Sequence, residues 1–518
     1  MSTSPLTPNE ALSRAAKLAR AGNAEDAKLL LHQVLEREPA NKKAKKALKS
    51  LQADQQAPLT AADFDRVTQL MTKGRVDAAV REARRLCKNH PGQPALQNLR
   101  GVALSHSGDR DSALEAFGVA LELEPTYSEA LSNYASTLTA LNRFKEALPY
   151  YQELVSRGHA DAAAFLSLAR ALRGDGQLAN AVKALQRALS MQPAYPDAFN
   201  LLGIVLGEEG EVERAVESYE NALAIEPSHR RALLNLGQLY SEHQQFEAAI
   251  NVYERLMGHY PDDINGLRGM GSAMLFAGRQ ADADDYFRRV LEQNPHDAVA
   301  AHLRSAAAGE TPETGSAAYA QAVFDGYARN FEKALTETLD YRFPESLPAR
   351  LEALDGKDAW YEQALDLGCG TGLVGAQIRT YCAQLTGVDV SSEMITRAEE
   401  KAVYDELRVE DVITMLHGSD ANWNLVIAAD LLNYLGGLES FFVALANRCA
   451  TGARVILTTE RAEVDRFALK PSGRYVHDDK YLSHAIGDSF QISQRDTIVL
   501  RREGGQPVEG SVFTLTRL

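Results

Sequence analysis

The pattern of apolar and polar positions divides this chain in two. Residues 60–308 read as helices in a repeating pattern, whereas beyond residue 360 short apolar runs alternate with helical stretches. The runs at 363–367, 384–389, 407–409, 425–429 and 455–459 predict buried strands. Two further runs, Gln491 to Leu500 and Ser511 to Arg517, predict a closing hairpin that turns at Gly504-Gly505. Strands alternating with helices imply a doubly wound sheet, with any ligand at the carboxyl ends of its strands. The expected fold class is multidomain: an all-α repeat solenoid, then an α/β doubly wound, Rossmann-like domain with a C-terminal antiparallel hairpin.

The helical part repeats every 34 residues: Pro91, Pro125, Pro193, Pro227, Pro261 and Pro295 share one grid, with His159 in its gap. An alanine recurs at Ala79, Ala113, Ala147, Ala181, Ala215, Ala249 and Ala283, usually followed four positions later by a bulky residue such as Phe117, Tyr151, Tyr219 or Tyr253. Small residues hold a third slot at Gly101, Ala135, Ala169, Gly203, Gly237 and Gly271. Such units are helix-turn-helix pairs in which small residues allow close crossing, bulky ones fill the groove and proline closes the second helix. An earlier unit with Ala27 and Pro39 stands apart, separated by an extra helix or linker within Asn41 to Thr60. The lysines there (Lys42, Lys43, Lys45, Lys46 and Lys49) read as a solvated helix face. Ala298 to Ala308 reads as a capping helix, and the breaker-rich run Gly309 to Gly315 as a linker. The expected boundaries are 1–59 for the N-terminal helical region, 60–308 for the repeats, 309–318 for the linker and 319–518 for the α/β domain.

The densest chemistry lies in Leu365-Asp366-Leu367-Gly368-Cys369-Gly370-Thr371-Gly372, followed after a helix and a second strand by Asp389. This is a strand-turn-helix-strand unit whose second strand ends on a carboxylate, the layout of an adenosine-binding crevice. Ionised Asp389 can accept both ribose hydroxyls, and Gly368, Gly370 and Gly372 let a ligand approach bare backbone. Gly370 to Gly375 also fits the dinucleotide fingerprint G-x-G-x-x-G. Asp366 decides against that reading: a carboxylate two residues before the first glycine repels a pyrophosphate. It attracts S-adenosylmethionine, whose sulfonium and α-amino group are cationic.

The repeats match the tetratricopeptide pattern, and the chain resembles bacterial proteins that fuse such repeats to a class I S-adenosylmethionine-dependent methyltransferase domain. The segments that carry the resemblance are Val323 to Ala328 with Phe331, the glycine loop, Tyr404-Asp405-Glu406-Leu407 leading to Asp411, Ala428-Ala429-Asp430, and Pro471 to His477 with Tyr481-Leu482. The resemblance implies that Asp366 and the glycine backbone hold the methionine portion of the cofactor and Asp389 its ribose. It implies that Asp411 accepts from the adenine amino group beside Val412, that Met394 packs on the adenine, and that Asp430 and Leu431 lie beneath the sulfonium. Tyr327 and Phe331 resemble an aromatic lid. After the fourth strand the chain reads Asp430-Leu431-Leu432-Asn433-Tyr434 rather than Asn/Asp-Pro-Pro-Tyr/Phe, which argues against adenine and glutamine side chains as acceptors.

Methyl transfer asks the protein mainly for geometry, because the sulfonium is already activated. A neutral nitrogen or hydroxyl acceptor still has to lose a proton, and Glu460, at a strand end, and His477, in a loop at the substrate mouth, are the candidate catalytic bases. The net charge of −15 over 518 residues argues against a general nucleic-acid binder. The four cysteines have no paired or metal-ligand spacing, which points to reduced thiols, a cytoplasmic protein and no metal site. No run is long and apolar enough to span a membrane. The expected partner is a protein or peptide on the concave face of the solenoid. Asn98, Asn133, Asn200 and Asn235 recur on first helices and read as surface polar residues of the repeat consensus ahead of contacts to a peptide backbone. The alternatives are a small-molecule methyltransferase that uses its repeats for assembly, and a scaffold that binds the cofactor without turnover.

Overall fold

The computed structural model describes residues 6–20, 23–56, 58–328, 331–333, 335–336, 339–503 and 505–518. The chain forms two compact units, Met1–Pro227 and Ser228–Leu518. The first is entirely helical among its described residues, opening with helices Pro8–Arg20, Ala24–Arg37 and Lys42–Gln56. The last of these is the extra helix. It buries Ala44, while its five lysines stand exposed. From Ala61 onward helices run in pairs, such as Pro94–His106 with Arg110–Leu123 and Pro196–Glu209 with Val212–Ile225.

The recurring prolines all do the same thing. Helices Val76–Asn89, Arg110–Leu123, Leu178–Met191 and Val212–Ile225 each end one residue before a non-helical cap (His90, Glu124, Gln192 and Glu226), and the grid proline follows that cap. A residue before proline is driven out of the helical region, so the stop is written in the sequence. The unit with His159 uses another device: helix Phe144–Ser156 ends at Gly158, whose φ of 71° turns the chain out through the left-handed region.

The third slot is steric. A Cβ built on Gly101 would lie 2.4 Å from the Phe117 ring, and one on Gly203 would lie 2.6 Å from the Tyr219 ring. Each glycine therefore receives the bulky residue of the following helix. Asn98 and Asn133 of successive units hydrogen-bond each other, Asn133 Nδ2 donating to Asn98 Oδ1 at 2.9 Å.

The second unit carries helices Arg230–Glu242 to Ala298–Ala307, then Ala317–Tyr327 and Phe343–Asp355, and then the sheet. Its strands are β1 (Tyr361–Leu367), β2 (Cys382–Asp389), β3 (Glu406–Val409), β4 (Trp423–Ala428), β5 (Cys449–Glu460), β6 (Phe467–Leu469), β7 (Tyr475–His477), β8 (Phe490–Glu503) and β9 (Gln506–Arg517). Seven form one sheet in the order β3-β2-β1-β4-β5-β9-β8, and β6 pairs with β7 separately. β1 to β5 are parallel, while β9 and β8 run antiparallel as the expected hairpin. Of its turn residues, Gly504 lies outside the described residues. Alternate residues feed two cores: Leu365, Val426 and Val455 pack with Phe441 and Phe442, whereas Ala364, Ile427 and Ile456 pack with Tyr361 and Leu385. A sheet covered on both faces reads as continuous apolar runs, which is why its central strands were legible.

The segment expected as a linker lies against the α/β domain. Thr311 Oγ1 accepts from Leu469 N, the Pro312 carbonyl accepts from the Tyr475 hydroxyl, and the Glu313 carbonyl accepts from Gly437 N at 2.7 Å. The last repeat helix takes part as well. His302 is buried, stacks on Tyr319 with ring centroids 3.9 Å apart, and its Nε2 lies 2.9 Å from the Gly473 carbonyl.

The glycine slot yields a direct test. Gly203→Val should lower the stability of the first unit by about 1–3 kcal/mol through overpacking against Tyr219. Urea unfolding followed by helical circular dichroism measures it, and a variant as stable as the parent would contradict the packing account.

Candidate functional site

Strand order reverses between β1 and β4, so a crevice opens above their carboxyl ends. Asp366 stands near the end of β1, and Gly368, Gly370 and Gly372 follow with φ of 69°, 53° and 88°. Three left-handed positions within five residues make a tight loop that other residues adopt only under strain. Gly368 N and Cys369 N both donate to the Val388 carbonyl, at 2.8 and 3.0 Å. Asp389 completes the attachment: its Oδ2 accepts from Gly370 N and its Oδ1 from Ser391 N, each at 2.9 Å. Burial pushes the Asp389 carboxyl up, and these backbone N–H groups oppose that. A carboxylate has about four lone-pair sites, so capacity remains for a ligand.

Asp366 is buried, and burial pushes its carboxyl up to about 7, with the Asp389 charge acting in the same direction. The Tyr404 hydroxyl donates to its Oδ2 at 2.7 Å, while its Oδ1 has no hydrogen-bond partner. Tyr404 also explains Gly375, the last glycine of the apparent dinucleotide fingerprint. A Cβ there would lie 2.3 Å from the Tyr404 ring, and one on Gly387 would lie 2.8 Å from it. Gly375 makes room for this tyrosine.

The remaining expected residues are spread along the same strand ends. Asp411 Oδ1 caps helix Val412–Gly418 by accepting from Thr414 N at 2.9 Å, and Val412 is buried. Met394 is fully buried in helix Ser392–Glu400, so its surroundings are those of a core side chain. The Ser391 hydroxyl caps that helix and donates to Asp325 Oδ1 at 2.5 Å, tying it to helix Ala317–Tyr327. Leu431 lies under the glycine loop, its Cδ1 3.2 Å from the place a Cβ on Gly368 would take. Asp430 adopts φ 56° and donates its N–H to Thr458 Oγ1 at 2.8 Å. Phe331 meets Phe324 edge to face at 5.9 Å. The side chain of Tyr327 lies outside what the structure describes.

The two candidate bases are engaged elsewhere. His477 does not lie in an open loop: it is in β7 and fully buried, with Nδ1 3.0 Å from Thr459 Oγ1 and Nε2 3.0 Å from the Gly436 carbonyl. Burial lowers its pKa, which keeps the ring neutral, and both nitrogens are taken. Glu460 ends β5 as expected, but its Oε1 pairs with Arg501 Nη2 and with Arg474 Nη1 at 3.4 Å. Arg501 is itself buried and also reaches Asp430 Oδ1 at 3.4 Å and Glu503 Oε1 at 2.8 Å. Sequence reasoning missed Arg501, Arg474 and Tyr404 as site residues. Tyr404 and Arg474 had left a signal, each as a member of a resembling segment, Tyr404-Asp405-Glu406-Leu407 and Pro471 to His477, whereas Arg501 had left none. All four cysteines are free and buried, and burial raises the Cys369 thiol far above its usual range, so it stays protonated. Among the described residues no acidic, histidine or cysteine cluster suits a metal ion, and no helix is long and apolar enough to cross a membrane.

Asp366 makes stability depend on pH. Its folded pKa lies above its unfolded value of 3.8, so the stability it contributes is complete below pH 4 and is lost as pH rises through 7. The slope is up to about 1.4 kcal/mol per pH unit. Asp366→Asn should remove that slope. Both tryptophans, Trp360 and Trp423, lie in the α/β domain, so fluorescence-monitored urea unfolding at pH 5 and pH 7 reads the effect there. Equal pH dependence in parent and variant would contradict the burial account.

Comparison with known proteins agrees with this anatomy. A methyltransferase-domain model matches residues 364–452, which contain the glycine loop, Asp389, Asp411 and Asp430. Two tetratricopeptide-repeat models match residues 104–172 with 206–273, and 64–128 with 166–229. The ubiquinone biosynthesis O-methyltransferase of Xanthomonas oryzae pv. oryzae is 25% identical over 131 residues, 24% of this chain and 55% of that protein. The chain thus spans about half the length of that relative. An uncharacterized protein of Methanocaldococcus jannaschii is 44% identical over 48 residues, 9% of this chain and 56% of its own. The crystal structure of PilW, a type IV pilus biogenesis factor, aligns at 20% identity with a TM-score of 0.38 over 41% of this chain and 97% of that one. The chain is a fusion of tetratricopeptide repeats with a methyltransferase domain.

Proposed function

We propose that this protein is an S-adenosylmethionine-dependent methyltransferase whose repeats recruit a protein or peptide substrate. The observation that carries the cofactor reading is the pair of buried carboxylates, Asp366 and Asp389, on either side of a left-handed glycine loop at the switch point. Two carboxylates disfavour a pyrophosphate and favour a cationic ligand. When bound, the cofactor supplies a methyl group already activated on sulfur, so the chain has to position donor and acceptor and keep water away.

The roles follow from chemistry and place. Asp389 has lone pairs left for the ribose hydroxyls, and the partnerless Asp366 Oδ1 suits the α-ammonium group. Asp411 and Val412 lie where the adenine edge falls, with Met394 packed behind. Gly368, Gly370 and Gly372 offer bare backbone, and Asp430 and Leu431 form the floor. Tyr327 keeps its lid role on resemblance alone. With His477 sealed and Glu460 ion-paired, the acceptor best suited to this site needs no protein base: a carboxylate, or a group already ionised. Recruitment through the array would act by raising the local concentration of the target. A second reading, a small-molecule methyltransferase with the repeats used for assembly, draws support from the O-methyltransferase relative.

Two outcomes test the proposal. Incubation of the full chain with methyl-tritiated S-adenosylmethionine and cell extract should label the protein fraction, and Asp389→Ala should weaken the cofactor by about 1–3 kcal/mol, read as a raised KM. Label confined to small molecules would favour the second reading. The pH dependence is equally specific, because Asp366 is pushed up to about 7 and an ammonium partner favours its ionised form. Binding at pH 6 should therefore release a proton, and affinity should rise with pH and level off above 7. Calorimetry in two buffers of different ionisation enthalpy measures this, and proton uptake would contradict the role given to Asp366.

A further inference from the structure

Tyr341 stands just before helix Phe343–Asp355, and its ring is buried in the core with Leu347, Tyr361 and Ile427. The ring has an evident structural use; the hydroxyl does not. It is buried without a hydrogen-bond partner, within electrostatic reach of Asp430, Arg501 and Asp366. Asp366 belongs to β1 and Asp430 follows β4, and these neighbouring strands border the switch-point crevice. An unsatisfied buried hydroxyl destabilises a fold, and phenylalanine would pack the same ring without that cost.

Two other buried polar atoms near the end of β1 lack partners, Asp366 Oδ1 and Thr371 Oγ1. Their chemistry is complementary. A carboxylate oxygen awaits a cationic donor, and two hydroxyls can donate to an anionic acceptor. One zwitterionic α-amino-acid group, with its ammonium and its carboxylate, satisfies such a set. The Asp430 charge does not oppose a carboxylate strongly, because its Oδ1 already accepts from Asn433 and Arg501.

We propose that the Tyr341 hydroxyl donates a hydrogen bond to the carboxylate of the amino-acid end of the methyl donor, an inference that rests on the S-adenosylmethionine reading above. Tyr341 is then a binding residue for the donor, contributed from outside the glycine motif.

The test is calorimetry on the full chain with two ligands. S-adenosylhomocysteine carries the amino-acid end; 5′-methylthioadenosine keeps the adenosine and the thioether but lacks it. Tyr341→Phe should weaken the first roughly tenfold and leave the second within about twofold. Unchanged affinity for S-adenosylhomocysteine overturns the proposal, and so does an equal loss on both ligands, which would mark a packing role. Failure of the phenylalanine variant to fold also overturns it, since the hydroxyl would then have a structural partner. Failure of the parent to bind either ligand removes the cofactor reading itself, and the role of Tyr341 with it.

Discussion

The site depends on one carboxylate. Asp389 accepts Gly370 N with one oxygen and Ser391 N with the other, and so fastens the loop after β1 to the turn after β2. Two charge-assisted bonds in a buried setting hold the loop in its left-handed course. Ser391 carries the constraint further, because its hydroxyl caps the next helix and reaches Asp325. The residue expected to hold a ribose therefore also builds the crevice. Whatever binds there meets a carboxylate already oriented, which lowers the entropy lost on binding.

A second constraint organises the far side of the crevice. Buried Arg501 bridges Glu460, Asp430 and Glu503, and Asn433 joins the ends of β4 and β5 by donating to Asp430 and accepting from Glu460 N. Removing one member would leave uncompensated buried charge, a large penalty, so these residues read as architecture rather than as free acids and bases. Segment 311–313 and His302 grip the same region through Gly437, Leu469, Tyr475 and Gly473. In the second unit the last repeat helix and the wall beside Arg474 are thus one packed assembly.

Much of this was legible in the sequence because it is local or periodic. The prolines stop helices two residues upstream, the small and bulky slots lie within one repeat, and central strands buried on both faces announce themselves as apolar runs. The unread parts are short or long-range. β6 and β7 have three residues each, too few for a period. His477 was read as a loop residue because nothing local shows that Phe467 pairs opposite it. Tyr404 finds Asp366 across 38 positions and Arg501 finds Glu460 across 41, pairings that only the folded sheet creates. Gly375 was legible as a glycine but not as the space for a tyrosine.

The central claim is that two carboxylates around a glycine loop make this crevice a site for a cationic adenosyl ligand and not for a dinucleotide. Titration calorimetry of the full chain with S-adenosylmethionine and, separately, with NAD tests it most directly. The account predicts saturable one-to-one binding of S-adenosylmethionine, weakened on Asp389→Ala, and no heat of binding with NAD. Tight NAD binding with no response to S-adenosylmethionine would contradict it.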